Sequence, residues 1–315
     1  MLDLAADRIR SFGPWTDCSP VLLACSGGAD STFLALAWLH TARESAVSEQ
    51  EKLPDTVVVV VDHGHRPDSN QDAEAAAQIY RDLDFEVQIE HAHVDPDANE
   101  AELRSARYTA LLESAERHGA KRILLAHHAD DNAETVLMRI LRGTGLPGLA
   151  GIPARRMLAP GVEIMRPLLG LRGGDVRKAL KALNQPWVED LSNADPSVAT
   201  RNLLRQEIIP ALAAASTGDP ITALLRLSAE AVEWEEAKAE LLLNSADFCR
   251  LPTYLRRQAI RDQLRKIGAT VSPTRLRNLD QALLSRGCAG VDQHCQLQLQ
   301  AGQLTTAHSE TPAQS

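Results

Sequence analysis

Residues 21–38 read VLLACSGGADSTFLALAW, and this stretch decides the fold. The apolar run 21–25 predicts a buried parallel strand, and the apolar pattern of 32–38 predicts a packed helix. A glycine turn between a strand and a helix start forms an anion site, because the helix N-terminus offers free N–H groups and glycine lets a phosphate approach the backbone. The predicted phosphate-binding residues are Ser26, Gly27, Gly28, Ala29, Asp30 and Ser31.

The loop at 26–31 is not a Walker A loop, because no Gly-Lys-Ser/Thr follows and it has no lysine to neutralise phosphate charge. An ordinary glycine turn is the alternative interpretation. Two serines and an aspartate around the glycines favour nucleotide binding over a plain turn.

Further apolar runs alternate with helical patterns along the first ~210 residues. Strands are predicted at 56–62, 86–89 and 122–126, with helices at 70–83 and 100–118. This alternation is typical of a parallel, doubly wound α/β sheet of the Rossmann-like kind, covered on both faces. Ligands of such sheets bind at the carboxyl ends of strands, where the polar clusters of this sequence fall.

The pattern changes beyond residue 212, which we predict as the end of a nucleotide-binding domain over 1–212. A smaller, mainly helical domain is predicted over 213–308 and a disordered tail over 309–315. Within the smaller domain, helices are predicted at 221–245, 253–267 and 273–286, and a short hairpin or edge strands at 295–306.

Composition limits the possible classes of protein. The 315 residues suit about two domains, and 44% hydrophobic with 24% charged residues indicate a soluble globular chain. No apolar run is long enough to span a membrane. The five cysteines are odd in number and contain no Cys-x-x-Cys pair. This favours a reducing cytoplasm and argues against a zinc ribbon or an iron–sulfur cluster.

Charge is distributed unevenly along the chain, whose net charge is −9. Residues 139–205 carry a net +6 and residues 250–286 a net +7, whereas residues 1–138 carry −14. The two basic blocks could each follow a phosphate backbone, or their arginines could simply solvate helix faces. Charge alone leaves both interpretations open.

A second polar cluster, VDHGHRP at 61–67, follows the predicted second strand. Asp62 and His63 are predicted to face the nucleotide, with His65 and Arg66 beside them; a plain surface loop is the alternative. A metal site on these histidines is less expected, because Mg²⁺, the usual partner of ATP, prefers oxygen ligands.

Two further clusters supply arginines. Arg104 and Arg107 share one face of the helix predicted at 100–118, which is either a salt-bridged surface or the lining of a site. Arg201 and Arg205 lie one helical turn apart and are predicted to grip a phosphate or a carboxylate, since arginine offers a forked set of donors.

The richest cluster is AHHADDNAET at 126–135, after the predicted fourth strand. Asp130 or Asp131 is predicted to cap the following helix. Asp131 and Glu134 are three residues apart, so their carboxylates share a helix face and invite either Mg²⁺ or an ammonium-bearing substrate. The two histidines, two aspartates and one glutamate exceed what helix capping needs.

Taken together and in this order, these strings resemble the tRNA(Ile)-lysidine synthases, a family of PP-loop ATP pyrophosphatases with an adenine-nucleotide alpha hydrolase-like fold. The resemblance covers roughly 18–210. The matching strings are SGGADS at 26–31, DHGHR at 62–66, Glu100-Ala101 with Arg104 and Arg107-Tyr108, AHHADDNAET at 126–135, RGTGL at 142–146, RPLL at 166–169, EDLSN at 189–193 and Arg201-Asn202.

The resemblance implies an ATP-dependent ligase. In that family ATP adenylates the 2-oxygen of the wobble cytidine of an isoleucine tRNA with a CAU anticodon, and a lysine amine then displaces AMP. The implied partners are therefore ATP, Mg²⁺, L-lysine and that tRNA, and a homodimer is compatible with a short member.

The family chemistry also implies roles for individual residues. Asp30 would help to hold Mg²⁺, while Asp131 and Glu134 would receive the lysine ammonium and release its proton. His127 or His128 would contact the adenylated base, and Arg104, Arg107 and Arg201 would contact base or phosphate. The basic block at 250–286, with Arg256, Arg257 and Arg261, would hold the tRNA body.

Alternative functions remain open at this point. A 2-thiocytidine synthetase is the nearest, although the lack of a Cys-x-x-Cys pair counts against it. A small-molecule ligase of the NAD- or GMP-synthetase kind and a nucleotide sensor with a decayed site are more distant. The chain is also short after residue 210, like family members that lack a large C-terminal region.

Overall fold

The computed structural model describes residues 1–15, 19–47, 53–62, 64, 69–92, 94, 100–188, 196–244, 247–292 and 295–308. His63, the string at 189–193 and the tail predicted at 309–315 lie outside these residues. The chain forms two compact units, Met1–Glu230 and Ala231–Ser315. The domain boundary predicted after residue 212 falls within the first unit and stays a prediction.

The first unit alternates strands and helices along the chain. Its strands are β1 (Val21–Cys25), β2 (Thr56–Asp62), β3 (Glu86–His91), β4 (Arg122–Leu125), β5 (Arg155–Ala159) and β6 (Val162–Met165). Its helices are α1 (Leu2–Ser11), α2 (Ala29–Val47), α3 (Ser69–Arg81), α4 (Glu100–His118), α5 (Ala129–Leu141), α6 (Leu146–Leu149), α7 (Gly173–Ala182), α8 (Pro196–Leu203), α9 (Ile209–Ala215) and the start of α10 (Pro220–Asn244). A π-helical turn, Leu204–Ile208, joins α8 to α9.

The strands form one sheet in the order β3-β2-β1-β4-β6-β5. All neighbours pair in parallel except β5, which runs antiparallel to β6. The predicted parallel α/β sheet is therefore confirmed. The β5–β6 hairpin was not predicted, because β5 reads RRMLA and lies largely exposed at the sheet edge, without the apolar run of a buried strand.

Helices cover both faces of this sheet. Alternate side chains of β1 enter different clusters: Leu23 packs with residues of α2, α3 and α7, whereas Leu22 packs with residues of α4. This division follows from the two-residue period of a strand. The carboxyl ends of β1, β2 and β4 are neighbours at one edge of the sheet, because β1 pairs in parallel with both other strands.

The second unit has its own core. It contains the rest of α10, α11 (Thr253–Lys266), α12 (Pro273–Arg286) and a three-stranded antiparallel sheet of β7 (Cys288–Gly290), β8 (Cys295–Gln300) and β9 (Gln303–His308). The predicted helices and the hairpin near 295–306 are thus confirmed. Residues of α11, α12 and the sheet, such as Ile260, Leu283 and Leu297, form one apolar cluster.

Part of the basic block at 250–286 is structural. The side chain of Arg256, 12% exposed, donates Nε to Asp280 Oδ1 at 2.8 Å, and Arg257 Nε donates to Asp280 Oδ2 at 3.2 Å. Asp280 is 2% exposed. Breaking such a buried pair costs about 3–5 kcal/mol, so charge reversal at Arg256 would report on folding before it reported on tRNA binding.

Among the described residues, no single helix is long and apolar enough to cross a membrane. One bent pair of segments, Thr200–Ala215 with Pro220–Leu242, meets the requirement by length and composition only.

Candidate active site

A hydrogen-bonded loop joins the end of β1 to the first turn of α2. The Ser31 hydroxyl donates to the Gly28 carbonyl at 2.9 Å and accepts the Ser26 N–H at 3.2 Å. The hydroxyl of Tyr80 on α3 accepts the Gly27 N–H at 3.1 Å and lies 3.0 Å from Ser31 Oγ. Because Tyr80 is fully buried, the packing of α3 holds the loop in shape.

Two titratable side chains in contact with this loop, those of Tyr80 and Cys25, carry no negative charge. Burial raises the pKa of the Tyr80 phenol, and it raises the pKa of the Cys25 thiol to about 12. Both groups therefore stay protonated at neutral pH, and neither opposes an anion bound above them.

The hydrogen bonds of the loop narrow the choice of phosphate donors. The N–H groups of Ser26 and Gly27 already have acceptors. The first helical bond of α2 runs from the Thr32 N–H to the Gly28 carbonyl at 3.0 Å. The preceding N–H groups, from Gly28 to Ser31, belong to the turn that a helix leaves without internal acceptors, so the predicted phosphate donors narrow to these four.

Gly27→Ala is expected to destabilise the protein by about 1–3 kcal/mol and to abolish ATP binding. Gly27 has a φ of +82°, and a Cβ there would lie 2.6 Å from the Ala76 Cβ. Gly174→Ala in α7 is the matched control, since a Cβ there would meet nothing within 4 Å. Thermal unfolding and equilibrium ATP binding of both variants test this; equal losses in the two would contradict it.

Asp30 lies in the first turn of α2 and faces His128, with Oδ2 3.5 Å from His128 Nε2. Burial alone would raise the pKa of Asp30, but the hydrogen bond and charge of His128 lower it, with smaller effects of Arg177 and Arg205. The carboxylate is therefore ionised at neutral pH. Its Oδ1 is buried without a hydrogen-bond partner among the described residues, which is a position that a cation would satisfy.

His128 begins α5 and orients the carboxylates around it. Its N–H donates to Asp131 Oδ2 at 2.9 Å and its Nδ1 accepts the Asp131 N–H at 3.3 Å, a capping box. Burial opposes charge on the ring, yet three surrounding carboxylates raise the pKa of His128. The residue is only 2% exposed, and a Cβ on Gly173 would lie 2.7 Å from its Nε2. The predicted substrate contact of His128 thus has little exposed surface available.

The predicted capping role of the aspartates needs correction. His128 is the N-cap of α5, and Asp131 completes the box from the first turn. Asp130 instead accepts from Arg172 Nε at 3.1 Å and from the Gly173 N–H at 2.7 Å. Asp130 therefore ties α5 to the start of α7.

Asp131 and Glu134 form a carboxylate pair, as their spacing predicts. Arg205 Nε donates to Glu134 Oε1 at 2.8 Å, and Arg205 Nη2 lies 3.6 Å from Asp131 Oδ1. Glu134 is 1% exposed, and its Oε2 has no hydrogen-bond partner among the described residues. Burial raises the pKa of Glu134, although Arg205 opposes the shift. Arg205, predicted to bind substrate, thus contacts this pair, which is able to hold a cation.

His127 lies beyond the end of β4 among arginines. Arg166 Nε donates to His127 Nδ1 at 3.3 Å. Burial, and then the charges of four arginines, lower the pKa of His127 to about 3. The four are Arg166, Arg104, Arg201 and Arg107. The ring is therefore neutral at physiological pH, and with Nδ1 accepting it carries its proton on Nε2 as a hydrogen-bond donor.

Asp62 lies at the end of β2, as predicted, and both its carboxylate oxygens have partners. Oδ1 accepts the Gly64 N–H at 2.9 Å, and Oδ2 lies 3.2 Å from His91 Nδ1. Burial by itself would raise the pKa of Asp62, but these hydrogen bonds and the charge of His91 lower it. Asp62 thus contacts Gly64 and His91; its predicted contact with the nucleotide stays a prediction.

Sequence reasoning missed two residues of this region. Tyr80 lies in the helix predicted at 70–83, and only the fold shows that its hydroxyl reaches the loop. Arg156 of β5 carried no motif, yet its Cζ lies 5.1 Å from the ring centroid of Tyr108. No local signal could have identified either residue, because both contacts join distant parts of the chain.

The described cysteines Cys25, Cys249, Cys288 and Cys295 are all free thiols. Within the described part of the chain, Asp3, His40 and Glu44 are the one group of three His, Cys, Asp or Glu side chains whose potential metal-ligand atoms all lie within 4.8 Å of one another, and the group contains no cysteine. That group lies on α1 and α2, away from the loop at 26–28. The described residues therefore offer no cysteine set for an iron–sulfur cluster.

Comparison with known proteins identifies relatives of both sequence and fold. A family model described as PP-loop domain matches residues 4–212. A tRNA(Ile)-lysidine synthase from Rhodopseudomonas palustris is 37% identical over 245 residues, covering 77% of this chain and 68% of the relative. A protein of the same name from Salinispora tropica is 44% identical over 201 residues, covering 62% and 57%. Another from Pseudomonas aeruginosa is 36% identical over 253 residues, covering 80% and 55%.

These relatives are longer than the chain, which spans 68%, 57% and 55% of their lengths. Among solved structures, the U34-tRNA thiolase NcsA from Methanococcus maripaludis superposes with a TM-score of 0.55 at 17% identity, covering 72% of this chain and 79% of that one. At such low identity, the likeness concerns the fold alone.

Proposed function

The chain belongs to the tRNA(Ile)-lysidine synthase family of PP-loop proteins, and we propose that it attaches lysine to the wobble cytidine of tRNA(Ile) with a CAU anticodon. In the first step the cytidine O2 attacks the α-phosphate of ATP, and pyrophosphate leaves. In the second step the lysine amine attacks C2, AMP leaves with the O2 oxygen, and lysidine is formed. The protein is then an ATP-dependent ligase that makes a C–N bond.

The observation that carries this proposal is the carboxylate pair beside the phosphate loop. Asp30 of the loop helix, Asp131 and Glu134 are linked through His128 and Arg205. A cation, the guanidinium of Arg205, already lies against this pair. An enzyme that joins an amine to a nucleotide-activated base needs this combination of an anion site and an ammonium site.

ATP is assigned to the loop at 26–31, where the N–H groups from Gly28 to Ser31 would donate to its phosphates. Mg²⁺ fits Asp30, because that ionised side chain has a buried Oδ1 without a hydrogen-bond partner among the described residues. When bound, Mg²⁺ would supply the positive charge that the loop, lacking a lysine, does not place near the leaving pyrophosphate.

Lysine is assigned to Asp131 and Glu134. The Asp131 side chain is 26% exposed and that of Glu134 is 1% exposed, so Asp131 meets the incoming ammonium first. Burial raises the pKa of Glu134, which makes this carboxylate a stronger proton acceptor, so we assign it to take a proton from the ammonium. Neutral His127 would donate its Nε2–H to the base or to its activated oxygen.

A second tRNA-modifying activity, 2-thiocytidine synthesis, is less favoured. The free cysteines of the described residues lie apart, with Cys25 in β1 and the other three in the second unit.

The odd number of cysteines and their spacing along the chain also support a cytoplasmic location. The tRNA body is assigned to the exposed arginines of the second unit, such as Arg265, and a homodimer stays a prediction.

Incubation of the purified protein with ATP, labelled lysine and tRNA(Ile) bearing a CAU anticodon is expected to produce labelled lysidine. Mass analysis of the digested nucleosides detects it. The control is the same tRNA with uridine at the wobble position, which lacks the cytidine target. Labelled nucleoside in both tRNAs would contradict the proposal, as would a rate of pyrophosphate release that is the same with and without tRNA.

A further inference from the structure

Six residues at the end of β4 form a positively charged cluster, which we call the arginine cluster: Arg104, Tyr108, His127, Arg156, Arg166 and Arg201. The Cζ atoms of Arg104 and Arg156 each lie 5.1 Å from the ring centroid of Tyr108. Arg104 also donates Nη2 to the Tyr108 hydroxyl at 3.0 Å. The cluster thus joins α4 to the β5–β6 hairpin.

Arg166 is the buried member, and no described carboxylate compensates its charge. It is 2% exposed, with Nε donating to His127 Nδ1 and Nη1 donating to the Pro153 carbonyl at 2.8 Å. No carboxylate among the described residues forms an ion pair with it. A buried charge without a counter-charge is rare in proteins unless a ligand supplies one.

The other arginines of the cluster share this lack of a counter-charge. Within the described ranges, Arg104, Arg156 and Arg201 also form no ion pair with a carboxylate. Arg172 and Arg205, by contrast, each contact two carboxylates. In a chain with a net charge of −9, a group of guanidiniums without carboxylates indicates a strongly anionic ligand.

The position of the cluster separates this ligand from the triphosphate of ATP. The phosphate loop begins α2, which packs on one face of the sheet, whereas Tyr108 packs with the apolar cluster on the opposite face. Both sites still lie at the carboxyl ends of adjacent strands, β1 and β4. Two anion sites at neighbouring strand ends suit a reaction between two phosphate-bearing molecules.

We propose that the arginine cluster binds a backbone phosphate of the RNA substrate next to the target cytidine, with the exposed Arg156 as the residue that contacts it. The buried Arg166 would add positive charge behind this contact without touching the phosphate, while Tyr108 keeps the Arg156 guanidinium in place. This assignment rests on the proposed function, since it takes RNA as the second substrate.

Arg156→Gln is expected to weaken binding of the tRNA by about tenfold and to lower the slope of log affinity against log salt by about 0.7–0.9. ATP affinity should stay unchanged. Arg155→Gln is the matched control, because Arg155 is the neighbouring arginine on β5 but has a carboxylate partner. Its Cζ lies 4.9 Å from the ring centroid of Phe12, and its Nη1 lies 3.4 Å from Glu163 Oε2. Arg156→Lys should restore the salt slope but only part of the affinity, because lysine keeps the charge without the planar contact to Tyr108.

Three results would overturn the proposal. A loss of ATP affinity in Arg156→Gln with intact tRNA binding would assign the cluster to the triphosphate. If Arg155→Gln and Arg156→Gln weakened tRNA binding equally, the effect would be general electrostatic attraction and not a specific contact of Arg156. If the wild-type protein did not bind the tRNA, the RNA could not be the ligand of the cluster. Failure of the proposed function is a separate outcome, read from the wild-type protein as absence of lysidine while binding and its dependence on Arg156 persist.

Discussion

Asp30→Asn is expected to reduce pyrophosphate release from ATP by about 100-fold or more, with or without lysine. The substitution keeps the size of the side chain but removes the charge on Oδ1, the buried oxygen that has no protein hydrogen-bond partner in the described part of the chain. It also removes the charged partner of His128 at 3.5 Å. Pyrophosphate release in the presence of the tRNA measures the effect.

The matched control for this prediction is Asp3→Asn. Asp3 also lies in the first turn of a helix, α1, but its side chain is exposed and contacts His40. This variant should keep full activity, since an exposed ion pair contributes little. Thermal unfolding should show both variants folded. Normal pyrophosphate release by Asp30→Asn would remove Asp30 from the reaction.

Glu134→Gln is expected to reduce lysidine formation by about 100- to 10,000-fold while pyrophosphate release without lysine persists. Glutamine still accepts the hydrogen bond of Arg205, but it cannot take a proton from the lysine ammonium. The variant should therefore accumulate adenylated tRNA. Rapid quenching with labelled ATP separates this intermediate from lysidine and measures the two steps independently.

Glu163→Gln is the control for the second step. Glu163 also pairs with an arginine, Arg155, at 3.4 Å, but on the outer hairpin of the sheet. It should leave both steps unchanged. If Glu134→Gln lost both steps equally, the carboxylate would act in adenylation or folding; full lysidine formation would show that it is not the base.

Local patterns were sufficient for the central strands. The apolar runs of β1, β2 and β4 are typical of strands buried inside a parallel sheet, so the sequence predicts that these segments are strands and the order in which they follow one another along the chain. The edge hairpin β5–β6 could not, because its first strand is polar and exposed. This mattered for the arginine cluster, since β5 carries Arg156 and Arg166 directly follows β6.

Side-chain spacing also predicted part of the site. The three-residue spacing of Asp131 and Glu134 put both carboxylates on one helix face, where both contact Arg205. The same reasoning could not choose the N-cap of α5, because histidine is an uncommon cap and two aspartates stood beside it. Nor could it show that the Ser26 N–H is accepted by Ser31 Oγ and the Gly27 N–H by the hydroxyl of Tyr80 on α3.

The sequence by itself determined the phosphate loop, the parallel sheet and the family, since each rests on residues adjacent along the chain or on a fixed order of motifs. Only the tertiary structure decided which charges are compensated. Arg256 and Arg156 count equally in any charge sum, yet Arg256 pairs with the buried Asp280 while Arg156 lies over Tyr108 without a carboxylate among the described residues. Such pairing joins residues far apart in the chain, and electrostatic energy depends on distance in space.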